Sequence, residues 1–276
     1  GPVQAPAEQM VKTGKFRREG VVSGWMMRWI LCASLNGLAM LSASGAEARW
    51  HIEKIQEVQV EGRFEGELDI SGLAMLGEGR CLAVSDETRP AQGAQWCVYD
   101  KDQARLVVGE LLPLAPEDKS KVELDLEGVA ADPDAPCFYA TGSHGVSKKK
   151  GRLEAERCRV FRIAVDGNTF APLGGGIQSA SLLDVLRRDE KLGQAVGRPL
   201  QQRGLNIEGL AFKAGRLFFG VRSPNLQGRA FVVETDAIRL FSEEAPPVTV
   251  HELPMAAGFG IRELAPWRDG FVLLIG

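Results

Sequence analysis

The chain has 276 residues, a formal net charge of −3 and 25% charged side chains, so it lacks the basic surplus expected of a general nucleic-acid binder. A hydrophobic content of 45% is that of an ordinary globular protein, and the length allows one large β domain or two small ones. Strand patterns spread evenly from residue 52 onward favour a single domain.

Residues 1–25 carry Lys12, Lys15, Arg17 and Arg18 with little apolar pattern. They read as a disordered extension, or as a long basic leader to the segment that follows. That segment, 26–48, has a short basic start (Met26-Met-Arg28), an apolar run from Trp29 to Leu41 and an Ala46-Glu-Ala48 cleavage pattern. This is the layout of a secretory signal peptide, with a buried N-terminal helix as the alternative. The run is too short, and too interrupted by Ser34 and Asn36, for a membrane span. The expectation is a periplasmic or secreted protein with no membrane span once the signal is removed. Export would place Cys81, Cys97, Cys137 and Cys158 in an oxidising compartment. Two hairpin disulfides, Cys81–Cys97 and Cys137–Cys158, are then one reading, and four buried thiols the other.

From residue 49 to 276 the sequence is organised by a recurring unit. Asp69-Ile-Ser-Gly-Leu-Ala74, Asp125-Leu-Glu-Gly-Val-Ala130, Asn206-Ile-Glu-Gly-Leu-Ala211 and Gly260-Ile-Arg-Glu-Leu-Ala265 each open a short apolar strand. A tight turn and a second apolar strand follow, the latter ending in polar residues in the first three units. Four such units at a near-regular period, all strand, predict a β-propeller of four-stranded blades. Trp50 to Val60 alternates apolar and polar residues and is expected to close the last blade. Gln95–Tyr99 and Arg105–Gly109 supply the outer strands of the first unit, Arg159–Val165 the third strand of the second, and Ala230–Glu234 and Pro247–Leu253 the outer strands of the third. The second interval is the longest, and the helical spacing of Leu182, Leu183, Val185 and Leu186 predicts a helical insertion near 179–196, capped by Ser179 or Ser181. Gly174-Gly-Gly176 reads as a loop. The fourth unit stops after two strands, so the domain reads as incomplete at its C-terminus.

In a propeller, the start of each innermost strand and the end of the second strand share one rim of the central channel. The unit pattern therefore gathers Asp69, Asp125, Glu127, Asn206, Glu208, Arg262 and Glu263 beside Asp86, Glu87, His144, Arg222 and Ser223. Glu127 and Glu208 hold equivalent positions, with Ser71 and Arg262 in the other two units. Two carboxylates facing one channel repel unless a cation stands between them. A hard divalent cation, calcium foremost, suits Glu127 and Glu208. Arg222 and Arg262 would then hold an anionic group, or else pair with the glutamates and leave no metal. Asp69, Asp125 and Asn206 also fit a structural role, bonding backbone amides at strand entry. His144 is a candidate general base, or a histidine bonded to its loop. No nucleophile elbow, phosphate loop or dinucleotide fingerprint occurs, so no nucleotide cofactor is expected.

At Asp125-Leu-Glu-Gly-Val-Ala with Thr141-Gly-Ser-His144, at Asn206-Ile-Glu-Gly-Leu-Ala with Gly220-Val-Arg-Ser-Pro224, and at Gly260-Ile-Arg-Glu-Leu, the chain resembles the bacterial family of domain of unknown function 3616, over roughly residues 50–276. The shorter Glu-Gly-Leu/Val-Ala core is similar to secreted propellers called esterase-like or phytase-like. The resemblance implies a secreted or periplasmic β-propeller and carries no catalytic residues. Two functions stay open beside a third reading, an envelope scaffold in which the rim charges are only paired structure. One is a metal-supported hydrolase of a phosphoester or carboxylic ester, with Glu127 and Glu208 on the metal, Arg222 and Arg262 on the substrate and His144 moving protons. The other is a non-catalytic propeller that binds a small anionic ligand or an envelope protein.

Overall fold

A computed structural model of the chain describes residues 57–65, 70–86, 93–114 and 123–276. The extension, the signal segment, residues 50–56 of the N-terminal strand, Asp69 and Glu87 lie outside the described residues.

Three meanders and a hairpin follow one another. The first blade is β2 (Ile70–Leu76), β3 (Arg80–Ser85), β4 (Ala94–Asp100) and β5 (Arg105–Leu112). The second is β6 (Leu126–Asp132), β7 (Cys137–Gly142), β8 (Val160–Val165) and β9 (Pro172–Ala180). The third is β10 (Asn206–Lys213), β11 (Arg216–Ser223), β12 (Arg229–Asp236) and β13 (Val248–Pro254), and the fourth holds β14 (Ile261–Trp267) and β15 (Gly270–Ile275). All neighbours within these blades pair antiparallel in chain order. The first strands, β2, β6, β10 and β14, pack side by side, which makes them the inner wall of a β-propeller.

The core lies between blades rather than within one. Leu82, Val84, Leu126, Phe138 and Ile163 fill the space between the first and second blades. Tyr139, Val160, Ile207, Phe219 and Phe231 fill the next, where Tyr139 stacks on Phe212 with ring centroids 5.4 Å apart. Ala211, Ala230, Ile261, Leu264 and Leu273 fill the third. A strand covered on both faces cannot afford polar alternation, so β7 is buried at every position and β10 at all but its last. β13, on the outside of its blade, alternates instead.

The helix of the insertion is shorter, and the insertion more broken, than the sequence predicts. It holds one helix, α1 (Leu183–Arg188), and 3-10 turns at Gly193–Ala195 and Leu200–Gln202. Leu182, Leu186 and Leu192 anchor it in the core between the second and third blades. Neither serine is its N-cap: Leu182 holds that position, although the Ser181 hydroxyl accepts the Leu183 N–H at 3.1 Å, and Ser179 stands in β9. Residues 172–180 form the blade's fourth strand, which the glycine run conceals in the sequence. Gly174–Gly176 sits inside that strand, in a register break between the pairs Ile163–Ile177 and Val165–Pro172. A Cβ on Gly176 would lie 2.8 Å from the Ala164 carbonyl, so the break needs glycine there.

The N-terminal strand also departs from expectation. β1 (Gln59–Glu61) runs parallel to β5 at the outer edge of the first blade and does not close the last one. Gln95 fixes this path: its amide donates to the Gly109 carbonyl at 2.8 Å and to the Arg63 carbonyl at 3.3 Å, and its oxygen accepts from the Glu65 N–H. The four described cysteines are free thiols. Cys81 faces Cys97 across β3 and β4, whereas Cys137 faces Ala164 and Cys158 sits in a 3-10 turn ahead of β8, so the expected Cys137–Cys158 hairpin pair is not brought together.

Candidate functional site at the channel rim

Each innermost strand carries an irregularity at the same place. The pairing skips from Ile70 to Gly72, from Leu126 to Gly128, from Ile207 to Gly209 and from Ile261 to Glu263. The residues stepped over are Ser71, Glu127, Glu208 and Arg262, the four equivalent positions of the repeat. A β-bulge takes its extra residue out of the ladder and re-aims its side chain. The glycine that follows each of the first three lets the neighbouring inner strand close in. A Cβ on Gly128 would lie 2.8 Å from the Glu208 carbonyl, and one on Gly209 would lie 3.1 Å from the Glu263 Cα. The Glu-Gly pair of the repeat is thus a bulged carboxylate followed by a close strand contact.

Three carboxylates meet on the side of the first and second blades. Oxygens of Asp86, Asp125 and Glu127 lie within 4.8 Å of one another. Asp86 follows the last residue of β3, and Asp125 turns the chain into β6 from the left-handed region, at φ 51°. Asp125 is neutralised by Arg157, whose guanidinium also pairs with Glu123 and donates to the Ser143 hydroxyl and, at 3.1 Å, to the Gly145 carbonyl. Burial pushes the Asp125 carboxyl up and Arg157 pulls it back. Glu127 has no such relief: among the described residues it makes no hydrogen bond or ion pair. Burial, then the charges of Asp125, Glu208 and Asp86, push its carboxyl up to about 9, with Arg222 opposing. Asn206, which opens the next inner strand, is 8% exposed, and its Oδ1 is buried without a donor.

The other side of the rim is built differently. Glu208 pairs with Arg222 on its own blade and with Arg262 of the fourth blade, the latter at 3.4 Å. Burial raises the Glu208 carboxyl while Arg262 and Arg222 lower it. Both arginines remain about one-third exposed, with 31% and 32% of their side chains accessible. Glu263, next along β14, accepts the backbone N–H groups of Leu264 at 2.9 Å and Leu210 at 3.3 Å, and burial pushes it up to about 8.

The structure gives the two glutamates expected to share a metal different partners, although the Glu208 charge still acts on Glu127. Glu127 stands with Asp86 and Asp125, while Glu208 is held by the two arginines. His144 is not placed as a base. It is fully buried, one ring nitrogen bonds the Gly142 carbonyl at 2.9 Å, and the other accepts the Leu182 N–H at 3.4 Å. That arrangement fixes the neutral tautomer with its proton on Nδ1, and burial pushes the ring down to about 4. Its ring ties β7 to the insertion. Arg157 is the rim residue that the sequence pattern does not reveal, because it lies in a charged loop and becomes buried only when a 3-10 turn folds it under the rim. Asp86 was legible as the equivalent of Arg222, since both follow the second strand's last regular pair.

Residues 163–276 match the family described as protein of unknown function DUF3616. The match is shorter than the sequence resemblance suggested. The DUF3616 part holds Glu208, Arg222, Arg262 and Glu263; Asp86, Asp125, Glu127 and His144 precede it. No curated protein matches the chain. Among solved structures it is similar to a protein from Lactobacillus plantarum, at 16% identity and a TM-score of 0.40, covering 74% of this chain and 48% of that one. It is also similar to the WD40 β-propeller domain of Doa1, at 10% identity and a TM-score of 0.35, covering 75% of this chain and 62% of that one. The chain thus spans about half the length of the first and under two-thirds of the second.

Proposed function

We propose that this propeller is a binding module that takes a small anionic ligand through a divalent cation at its channel rim. The observation that carries the reading is the cluster of Asp86, Asp125 and Glu127, in which Glu127 is flanked by other carboxylates and forms no ion pair among the described residues. A hard cation would relieve that repulsion, and calcium fits an all-oxygen donor set best. The orphaned Oδ1 of Asn206 is a neutral oxygen of the kind such a site recruits. Arg222 and Arg262 would meet the ligand's anionic group from the opposite side. Export to the periplasm or the medium is part of the same proposal and is supported by the pattern of residues 26–48.

The test is calorimetric titration of chelator-stripped protein with calcium, alongside elemental analysis. The native chain should bind about one equivalent, and Glu127→Gln should weaken binding at least tenfold. Absence of heat and of any calcium-induced shift in melting temperature would end the proposal.

A second reading keeps the rim catalytic. It is favoured by the proton that Glu127 retains at neutral pH, which suits a general acid beside an anion held by Arg222 and Arg262. Phosphoester or carboxylic-ester hydrolysis would follow, without His144. Turnover of p-nitrophenyl phosphate or acetate that is lost in Glu127→Gln would favour it, and absence of turnover leaves the binding module.

A further inference from the structure

Blade 1 holds a pair of thiols that the rim does not use. Cys81 on β3 and Cys97 on β4 are direct partners in the antiparallel register. The Tyr99 N–H donates to the Gly79 carbonyl at 2.7 Å in that same register. Two residues along, Cys81 and Cys97 therefore occupy the same type of site, a hydrogen-bonded pair, where opposed Cα atoms stand about 5.5 Å apart. That Cα separation falls inside the range of about 4.4–6.8 Å that a disulfide spans; the Cβ atoms, about 5 Å apart in such a pair, must draw about 1 Å closer to close the bond. Their side chains share one face of the sheet and enter one core cluster with Val58, Phe64, Ala83 and Leu106, at 1% and 2% exposure. Each thiol is pushed up by burial, to about 11 for Cys81 and about 12 for Cys97, and Cys81 is itself a cause of the rise at Cys97.

Cys137 and Cys158 lack this arrangement. Cys137 is opposite Ala164, near the end of β8, whereas Cys158 precedes the start of that strand. At about 3.3 Å per residue the two ends of β8 are roughly 15 Å or more apart, far beyond disulfide reach.

We propose that Cys81 and Cys97 are a disulfide-forming pair that cross-links β3 to β4, while Cys137 and Cys158 stay as thiols. The oxidant is a disulfide of the glutathione class. One cysteine thiolate attacks it, forms a mixed disulfide and expels one glutathione thiolate. The second cysteine attacks the mixed disulfide, closes the Cys81–Cys97 bond and expels the other. Two protein thiols are oxidised and one external disulfide is reduced to two thiols. Because both sulfurs are shut from solvent in the folded blade, exchange takes place before β4 docks or when the blade opens locally. Once closed, the bond is shielded from reductants by the same burial.

The test equilibrates the purified chain in an oxidising glutathione buffer, unfolds it with an alkylating reagent present, and maps its peptides by mass spectrometry. The expected product is a Cys81–Cys97 linked peptide, two hydrogens lighter than the reduced pair, with Cys137 and Cys158 alkylated. The linked species should vanish in Cys97→Ser and the melting temperature of the native chain should fall on reduction. Alkylation of all the cysteines after equilibration would overturn the proposal, as would a link that includes Cys137 or Cys158. The map of the native chain decides the matter even where the serine variant does not fold.

Discussion

Arg157 is the residue on which the acidic side of the rim depends. It is buried, its partners Asp125 and Glu123 are both carboxylates, and its remaining donors serve Gly145 and Ser143. Removing the guanidinium leaves Asp125 buried and unpaired beside Glu127 and Asp86. Arg157→Ala should cost about 3–5 kcal/mol in chemical denaturation, and a loss below 1 kcal/mol would show that the rim tolerates the bare charge. His144 makes the opposite case. With both ring nitrogens committed to backbone, His144→Ala should lower stability by about 1–3 kcal/mol while leaving calcium binding in place. Its type and position in the repeat suggested a base. Burial and two backbone partners make it a strut; the bond to Gly142 is the loop-bonded alternative that the sequence offered, whereas the burial and the Leu182 partner come from distant chain.

At the scale of the strand, the bulge and its glycine explain the repeat. The sequence shows the recurrence of Glu-Gly but not its cause, because the cause is the neighbouring blade. Gly128 abuts the Glu208 carbonyl and the Leu210 backbone, neither of which can turn aside, so Gly128→Ala should destabilise by about 1–3 kcal/mol and displace the two glutamates. Gly167 has open space around it and ordinary φ, so Gly167→Ala, on the second blade's turn, is the control and should be nearly silent. Thermal unfolding of the two variants compares them directly; equal melting temperatures would remove the close-approach explanation. β9 carries a related lesson. Its glycines look like a loop to a pattern reader, yet the ladder of β8 holds them as strand.

For the whole molecule, His144, Glu263 and Glu127 are among the buried groups that make stability depend on pH. His144 has its folded value at about 4, below the ordinary value of about 6.5, so its contribution is intact above about pH 6.5 and is lost as pH falls toward 4. Glu263 and Glu127 go the other way, at about 8 and about 9. Against an unfolded value of about 4.3, each keeps its proton on folding, and stability declines as pH rises from about 4.3 through those values. Above pH 6.5 the His144 contribution is constant while Glu263 and Glu127, joined near pH 9 by the buried thiols of Cys81 and Cys97, lower stability, so melting temperature should fall steadily toward pH 9. Glu263→Gln keeps an acceptor for Leu264 and Leu210 and should flatten that fall between pH 6.5 and 8. A native profile that is level over this range would refute the assignment of buried protons.

The sequence by itself determined the all-β class, the four repeats, the positions where blades begin, and the identity of most rim residues. It could do so because strand alternation and turn chemistry are local, and because four copies of one unit reveal equivalent positions. Only the tertiary structure decided which charges are neighbours. Glu127 and Glu208 hold the same place in their repeats and read as partners, yet one stands with Asp86 and Asp125 and the other between two arginines. Electrostatic partnership falls off within a few ångströms and depends on burial. It is therefore fixed by how blades pack against each other, which no single stretch of chain encodes.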